Sequence, residues 1–307
     1  MEPGARQSGG SLRVNLDLWR KPGALSTPGR HADHFKRLPT GPAALAGVVQ
    51  GMLMHEHIST TYGVALDGAQ HAQAHVRSVE DMLDGIVRRD PRPLTAARAP
   101  GERQVGVCRH FTLMHVAMLR AEGVPARARC GFAAYFVKDK FLDHWVTEYW
   151  SDDQKRWLLV DAQLDAHQCS LFKVDFDPID VPRDKFLIAG DAWVLCQRGQ
   201  ADPQAFGILD MFGLWFVASN VIRDAAALNN REMLPWDVWG GMSQTDAGID
   251  VAFIDRVAAL TQEPDAHHDD LRLLYSDPRV RVPDTVFNAV LGRPEAVAPL
   301  SPLADSL

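Results

Sequence analysis

The alternation of apolar and polar positions divides the chain into three stretches of different period. Over residues 42–58 (PAALAGVVQGMLMHEHI), a proline near the start is followed by apolar residues at helical spacing, which predicts a helix. Residues 76–89 predict a second, more amphipathic helix, and 90–106, broken by prolines and glycine, a connecting loop. Residues 108–121 (CRHFTLMHVAMLRA) predict a third helix. Phe111, Met114, His115, Met118 and Leu119 share one stripe of it, and Gly123 and Pro125 end it. The period then shortens, and 126–137, 145–150 and 157–163, rich in aromatic and β-branched residues, predict strands. Beyond residue 170 the helical period returns over 183–198, 206–228, 248–262 and, more briefly, 269–275. Helices, then an antiparallel sheet, then helices make an α+β protein. The expected organisation is a Gly- and Ser-rich tail at 1–12, a core at 13–170, a helical extension at 171–292 packed on the core, and a loose Pro- and Ala-rich tail at 293–307.

Composition narrows the function classes. With 46% hydrophobic and 23% charged residues, the chain has the make-up of an ordinary globular protein and can bury a sizeable core. Its 32 basic and 39 acidic residues give a formal charge of -7, which argues against a nucleic-acid partner. The longest apolar stretch, 205–222, contains Asp210 and Asn220 and runs into Arg223, so it predicts a buried helix and no membrane partner. The first residues lack an apolar run that could serve as an export signal, so the expected location is cytoplasmic. None of the four cysteines forms a CxxC pair, so free thiols are expected, with no metal and no cofactor.

Cys108 follows the loop Gly106-Val107 and opens a helix, where orphan amides and the positive dipole end favour a thiolate and can hold an oxyanion. Taken alone it reads more readily as a small buried hydrophobe. His144 and Asp161 fall on two strands joined by the polar turn 151–155. A hairpin centred between Asp152 and Asp153 sets His144 opposite Asp161. One centred between Asp153 and Gln154 sets His144 opposite Gln163, with Asp161 as its diagonal neighbour. Both put the two side chains on one face, opposed β-carbons being roughly 5 Å apart, whereas an odd loop would separate them. Val146, Glu148, Trp150, Leu159 and Trp157 share that face, a mostly apolar surface on which the Cys108 helix is expected to pack.

The blocks GVCRHFTLMHVAMLRAEGVPAR (106–127), DHWVTEYW (143–150) and RWLLVDAQLD (156–165) resemble, in order and spacing, the transglutaminase-like superfamily of papain-like cysteine enzymes, in its bacterial type. The resemblance covers residues 95–165, about a quarter of the chain. It implies a papain-like α+β core with the cysteine helix on an antiparallel sheet. It also implies a triad of Cys108 as nucleophile, His144 as base and Asp161 as the group that orients the histidine. Two departures stand out. Asp161-Ala162-Gln163 replaces the Asp-Pro-Thr common in the family, and no aromatic residue upstream of the cysteine supplies an oxyanion donor between Asp90 and Val107. Gln104 could donate instead, beside the Cys108 amide. Nothing resembles the acidic loops of the calcium-dependent animal enzymes, so no calcium is expected.

Other candidates read as structural. His115 lies on the apolar stripe as a core histidine, and His110 points away from the nucleophile. The His55/His57 pair and His267-His268 lack metal-site spacing and read as solvated polar clusters. Cys130, Cys169 and Cys196 read as structural thiols. Trp236 and Trp239 either wall a substrate groove or pin the C-terminal helices to the core. The expected activity is amide hydrolysis or acyl transfer to an amine through a Cys108 thioester, on a peptide, protein or small acyl or amide substrate. The alternative is a silent binding or scaffold module. Substrate identity and oligomeric state are not encoded in any motif.

Overall fold

The computed structural model describes residues 16–297; the expected tail at 1–12 lies outside that range. Helix α1 (Pro42–Met52) begins on its proline as expected but stops earlier. Leu53–His55 (β1) turns extended and pairs in parallel with Gln104–Gly106 (β2), from Leu53↔Gln104 to His55↔Gly106. Between them, helix α2 (Val79–Arg89) starts on Ser78, whose side chain accepts the Asp81 N–H.

Helix α3 (Cys108–Ala121) has the bounds the pattern predicts, but it has no solvent face: every residue from Cys108 to Arg120 is buried. Its polar side chains are tethers. The Arg109 guanidinium donates to the Glu232 carbonyl at 2.7 Å, and Arg120 donates to the Ala126 carbonyl, Ser26 and Asn230. His115 donates through Nε2 to the Pro42 carbonyl at 3.0 Å, while its Nδ1 accepts the Thr147 hydroxyl at 3.1 Å. Burial pushes that ring down to about 4, so it remains the neutral core histidine expected. These buried side chains are tolerable inside a helix because each makes at least one hydrogen bond, although Arg109 Nη1 has no partner.

The sheet comprises β3 (Ala126–Ala133), β4 (Phe141–Ser151), β5 (Arg156–Val160), β6 (Phe186–Ile188), β7 (Phe206–Ile208) and β8 (Met211–Phe212), in the order β6-β3-β4-β7-β8 with β5 also on β4. The β4–β5 hairpin takes the second of the two registers, with Thr147 opposite Val160 and Trp150 opposite Trp157. Strand β5 covers β4 from Thr147 to Ser151, and β7 covers only Phe141 and Leu142. Residues 143–146 therefore have no strand on that side.

The face on which α3 lies differs from expectation. Trp145, Leu158 and Val160 share the large core with the apolar residues of α3. Val146 and Leu159, expected beneath the helix, pack instead with Val181, Phe186 and Ile188. Alternation gave the faces correctly. Which face received the helix depends on the chain beyond residue 170, which covers the other one.

That later chain holds α4 (Ala166–Phe172), α5 (Ala189–Gln197), α6 (Leu214–Ala227), α7 (Val251–Gln262) and α8 (His268–Leu274). It is not helical alone, since β6, β7 and β8 come from it and complete the main sheet. The expected helices at 183–198 and 206–228 each begin as strands, because a short apolar run carries no period that separates strand from helix. A smaller sheet joins β9 (Asp237–Val238), β10 (Thr285–Asn288) and β11 (Arg293–Ala296), so the expected loose tail begins as a strand paired to β10.

Strand β6 pairs with β3 only at residues 131–133, leaving a buried edge at Cys130. Helix α6 closes it: the Asp224 carboxylate accepts the Cys130 N–H at 2.9 Å and both arms of Arg129 at 2.8 and 3.1 Å. Arg129 also pairs with Glu148, which holds Arg127 and Arg183 as well. Burial raises Glu148, but the three guanidiniums outweigh it and hold the carboxyl far below its usual range. Asp224→Ala would strand the Arg129 charge and the Cys130 N–H together. It is expected to cost about 3–5 kcal/mol in urea unfolding, with Asp224→Asn, which keeps an acceptor, costing less.

Candidate active site

His144 stands on β4 within the stretch that lacks a strand on one side, and Cys108, at the start of α3, is near enough there to favour the charged form of the ring. The ring nitrogen Nε2 lies 2.8 Å from Asp161 Oδ2. Asp161 follows the last residue of β5 and is diagonal to His144 in the observed register. An ionised carboxylate only accepts, so Nε2 carries a proton and Nδ1 is the atom left for the thiol.

The carboxylate is fixed from two further directions. The Tyr135 hydroxyl donates to Asp161 Oδ2 at 2.6 Å, and the Gln163 N–H to Oδ1 at 3.0 Å. Burial, then the Asp161 charge, pushes the Tyr135 phenol well above its ordinary range and keeps it a donor. Rings of Tyr135, Phe136 and Phe186 stand edge-on to the His144 imidazole, with centroids 6.0, 4.9 and 6.3 Å away. Cys108, His144 and Asp161 are 6%, 2% and 1% exposed. Burial alone would lower the histidine, but Asp161 and Cys108 outweigh it and push it up to about 10. The arrangement can hold an imidazolium beside a sulfur in a site shielded from water.

The start of α3 is itself held. His110 Nδ1 accepts the Val107 N–H at 3.1 Å, and its Nε2 donates to the Val76 carbonyl at 2.9 Å, which fixes the turn that presents Cys108. Burial, with the Arg109 charge, lowers this ring to about 3, so it stays neutral. His110 points away from the sulfur, as expected, and caps the helix. Tyr135 escaped the sequence reading because residues 126–137 read as one continuous strand. The strand ends at Ala133, and the aromatic pair that follows it folds back over the histidine. Among the described residues, no group of three or more His, Cys, Asp or Glu is placed to hold a metal ion, and no helix is long and apolar enough to cross a membrane.

Residues 59–162 match the family model of the Transglutaminase-like superfamily. This segment is a transglutaminase-like superfamily domain. Its α+β architecture, a cysteine-bearing helix packed on an antiparallel sheet, is that of the family. No curated protein matches the chain. Among solved structures the chain is similar to "a Putative Cysteine Protease from Cytophaga hutchinsonii", at 17% identity and a TM-score of 0.31. That match covers 48% of this chain and 42% of the other.

Of the six expected positions, Cys108, His144 and Asp161 meet, and Gln104, Trp236 and Trp239 do not join them. Gln104 is buried and turned towards α2, where its Oε1 accepts from Arg89 at 2.6 Å; its Nε2 points at the Val105 carbonyl, so it is not an oxyanion donor. Trp239 is a core residue that donates to the Val280 carbonyl at 2.9 Å, and Trp236 packs on His75. Trp236 thus ties the C-terminal part to the rest at His75, while the Trp239 bond lies within the C-terminal part. His55, expected in solvent, is partly buried with its ring stacked on Phe111 of α3.

The raised histidine makes stability depend on alkaline pH. A group whose folded value (about 10 here) exceeds its unfolded one (~6.5) contributes fully below the lower value and loses its contribution as pH rises through the higher. Unfolding free energy should therefore fall between those two values in the wild type. In Asp161→Asn this limb should be largely absent.

Proposed function

We propose that the chain is a cysteine-dependent enzyme that cleaves an amide or related acyl compound through a thioester on Cys108, with His144 as proton carrier and Asp161 as its orienting group. The observation that carries this reading is the buried His144–Asp161 hydrogen bond at 2.8 Å, braced by Tyr135, with the buried Cys108 near enough to favour the imidazolium.

The thiolate attacks the carbonyl carbon, and the His144 Nδ1 proton passes to the leaving nitrogen as the C–N bond breaks. The acyl group stays on sulfur. Water or an amine then attacks the thioester, giving its proton to Nδ1, and the thiolate leaves with the imidazolium restored. Hydrolysis and transfer share these steps, and the outcome depends on which acceptor reaches the acyl-enzyme. The substrate is a peptide, a protein or a small acyl or amide compound. No metal, cofactor, nucleic acid or membrane enters the chemistry, and the reaction suits a reducing cytoplasm.

Selective alkylation separates this reading from a silent scaffold. Near neutral pH, Cys108 should react with iodoacetamide much faster than Cys130, Cys169 and Cys196, and His144→Ala should slow it. Intact mass after incubation with candidate acyl donors should show an adduct on the wild type and none on Cys108→Ala. Equal, slow alkylation of all four thiols would favour the scaffold.

A further inference from the structure

An acyl transfer of this kind forms an oxyanion, and with Gln104 engaged elsewhere only the Cys108 amide remains of the donors the sequence suggested. A single donor is a weak cradle for that charge, since a second is commonly supplied by a side chain. We propose that His55 is that second donor, its Nε2–H hydrogen-bonding the substrate's carbonyl oxygen as it becomes an oxyanion beside the Cys108 amide.

Three observations converge on it. First, His55 ends β1, and its Cα is the partner of Gly106, two residues before Cys108. Parallel neighbours lie ~4.8 Å apart, so β1 delivers His55 to the loop that presents the nucleophile. Second, its ring stacks on Phe111, with centroids 6.5 Å apart and planes 29° from parallel. Phe111 is three residues along α3 from Cys108 and shares its side of the helix, so the imidazole lies alongside the first turn. Third, the proton is in the right place. His55 Nδ1 accepts the His57 N–H at 3.3 Å, which puts the ring hydrogen on Nε2, and that atom has no partner among the described residues.

The electrostatics agree with a neutral donor. Burial, then the neighbouring His57, His144 and His110, holds His55 well below the ordinary histidine range, so it does not compete with His144 for a proton. Position 55 also lies outside the segment matched by the family model.

The inference rests on the proposed thioester chemistry, and two probes tell their failures apart. With p-nitrophenyl acetate, the Cys108 thiolate attacks the acetyl carbon, an oxyanion forms, the C–O bond breaks and p-nitrophenolate leaves. With iodoacetamide, the thiolate displaces iodide and no oxyanion forms. His55→Phe keeps an aromatic ring on Phe111 but removes the donor, and it should slow acetylation on the order of 10²-fold while alkylation stays within about twofold. His55→Gln, which retains an N–H, should recover part of the loss. If His55→Phe does not fold, the ratio of the two rates in His55→Ala decides in the same way. Equal slowing of both probes, or of neither, would overturn the role of His55 alone. A wild-type Cys108 no more reactive to iodoacetamide than the other thiols would overturn the proposed chemistry and this inference with it.

Discussion

One hydrogen bond organises the molecule: His144 Nε2 to Asp161 Oδ2, 2.8 Å long and almost fully buried. A neutral imidazole in this setting would be driven down by burial, as His55, His110 and His115 are. His144 moves the other way because the Asp161 carboxylate bonds one nitrogen and Cys108 nearby also favours the charged ring. The surroundings serve that contrast. Tyr135 and the Gln163 amide hold the carboxylate, and aromatic edges exclude the water that would otherwise screen the pair.

Bringing the sulfur to that ring demands an unusual placement of charge. Helix α3 is enclosed on all sides, so its arginines and histidines act as fixed links to β1's neighbourhood, the sheet and the C-terminal segment. The arginine and carboxylate network about Arg129 does the same at the buried edge of β3. Such groups are costly to bury and are tolerated where most of their protons find acceptors; Arg109 Nη1 is one that does not. What they give is position: a helix whose first turn cannot drift from the open stretch of β4.

Much of this was legible in the sequence. The bounds of α3 followed from its stop residues, and the polar turn at 151–155 left two registers, both bringing His144 and Asp161 to one face. What could not be read was tertiary. Alternation identifies the faces of a strand but not which one a helix will cover, so Val146 and Leu159 were assigned to the wrong partner. Phe206–Ile208 and Phe186–Ile188 are too short for period to tell strand from helix. Gln104 was close in sequence to the nucleophile and is spent on Arg89, whereas His55, more than fifty residues away from Cys108, is brought close by a three-residue parallel pairing that carries no local signature.

The protonation state of the His144 ring tests the central claim most directly. Imidazole nitrogen spectra of the folded protein at about pH 8, between the ordinary histidine value of ~6.5 and the raised value of about 10, distinguish the two forms. The account predicts one histidine fully protonated at that pH in the wild type and neutral in Asp161→Asn. A wild-type protein in which every histidine is neutral at that pH would contradict it.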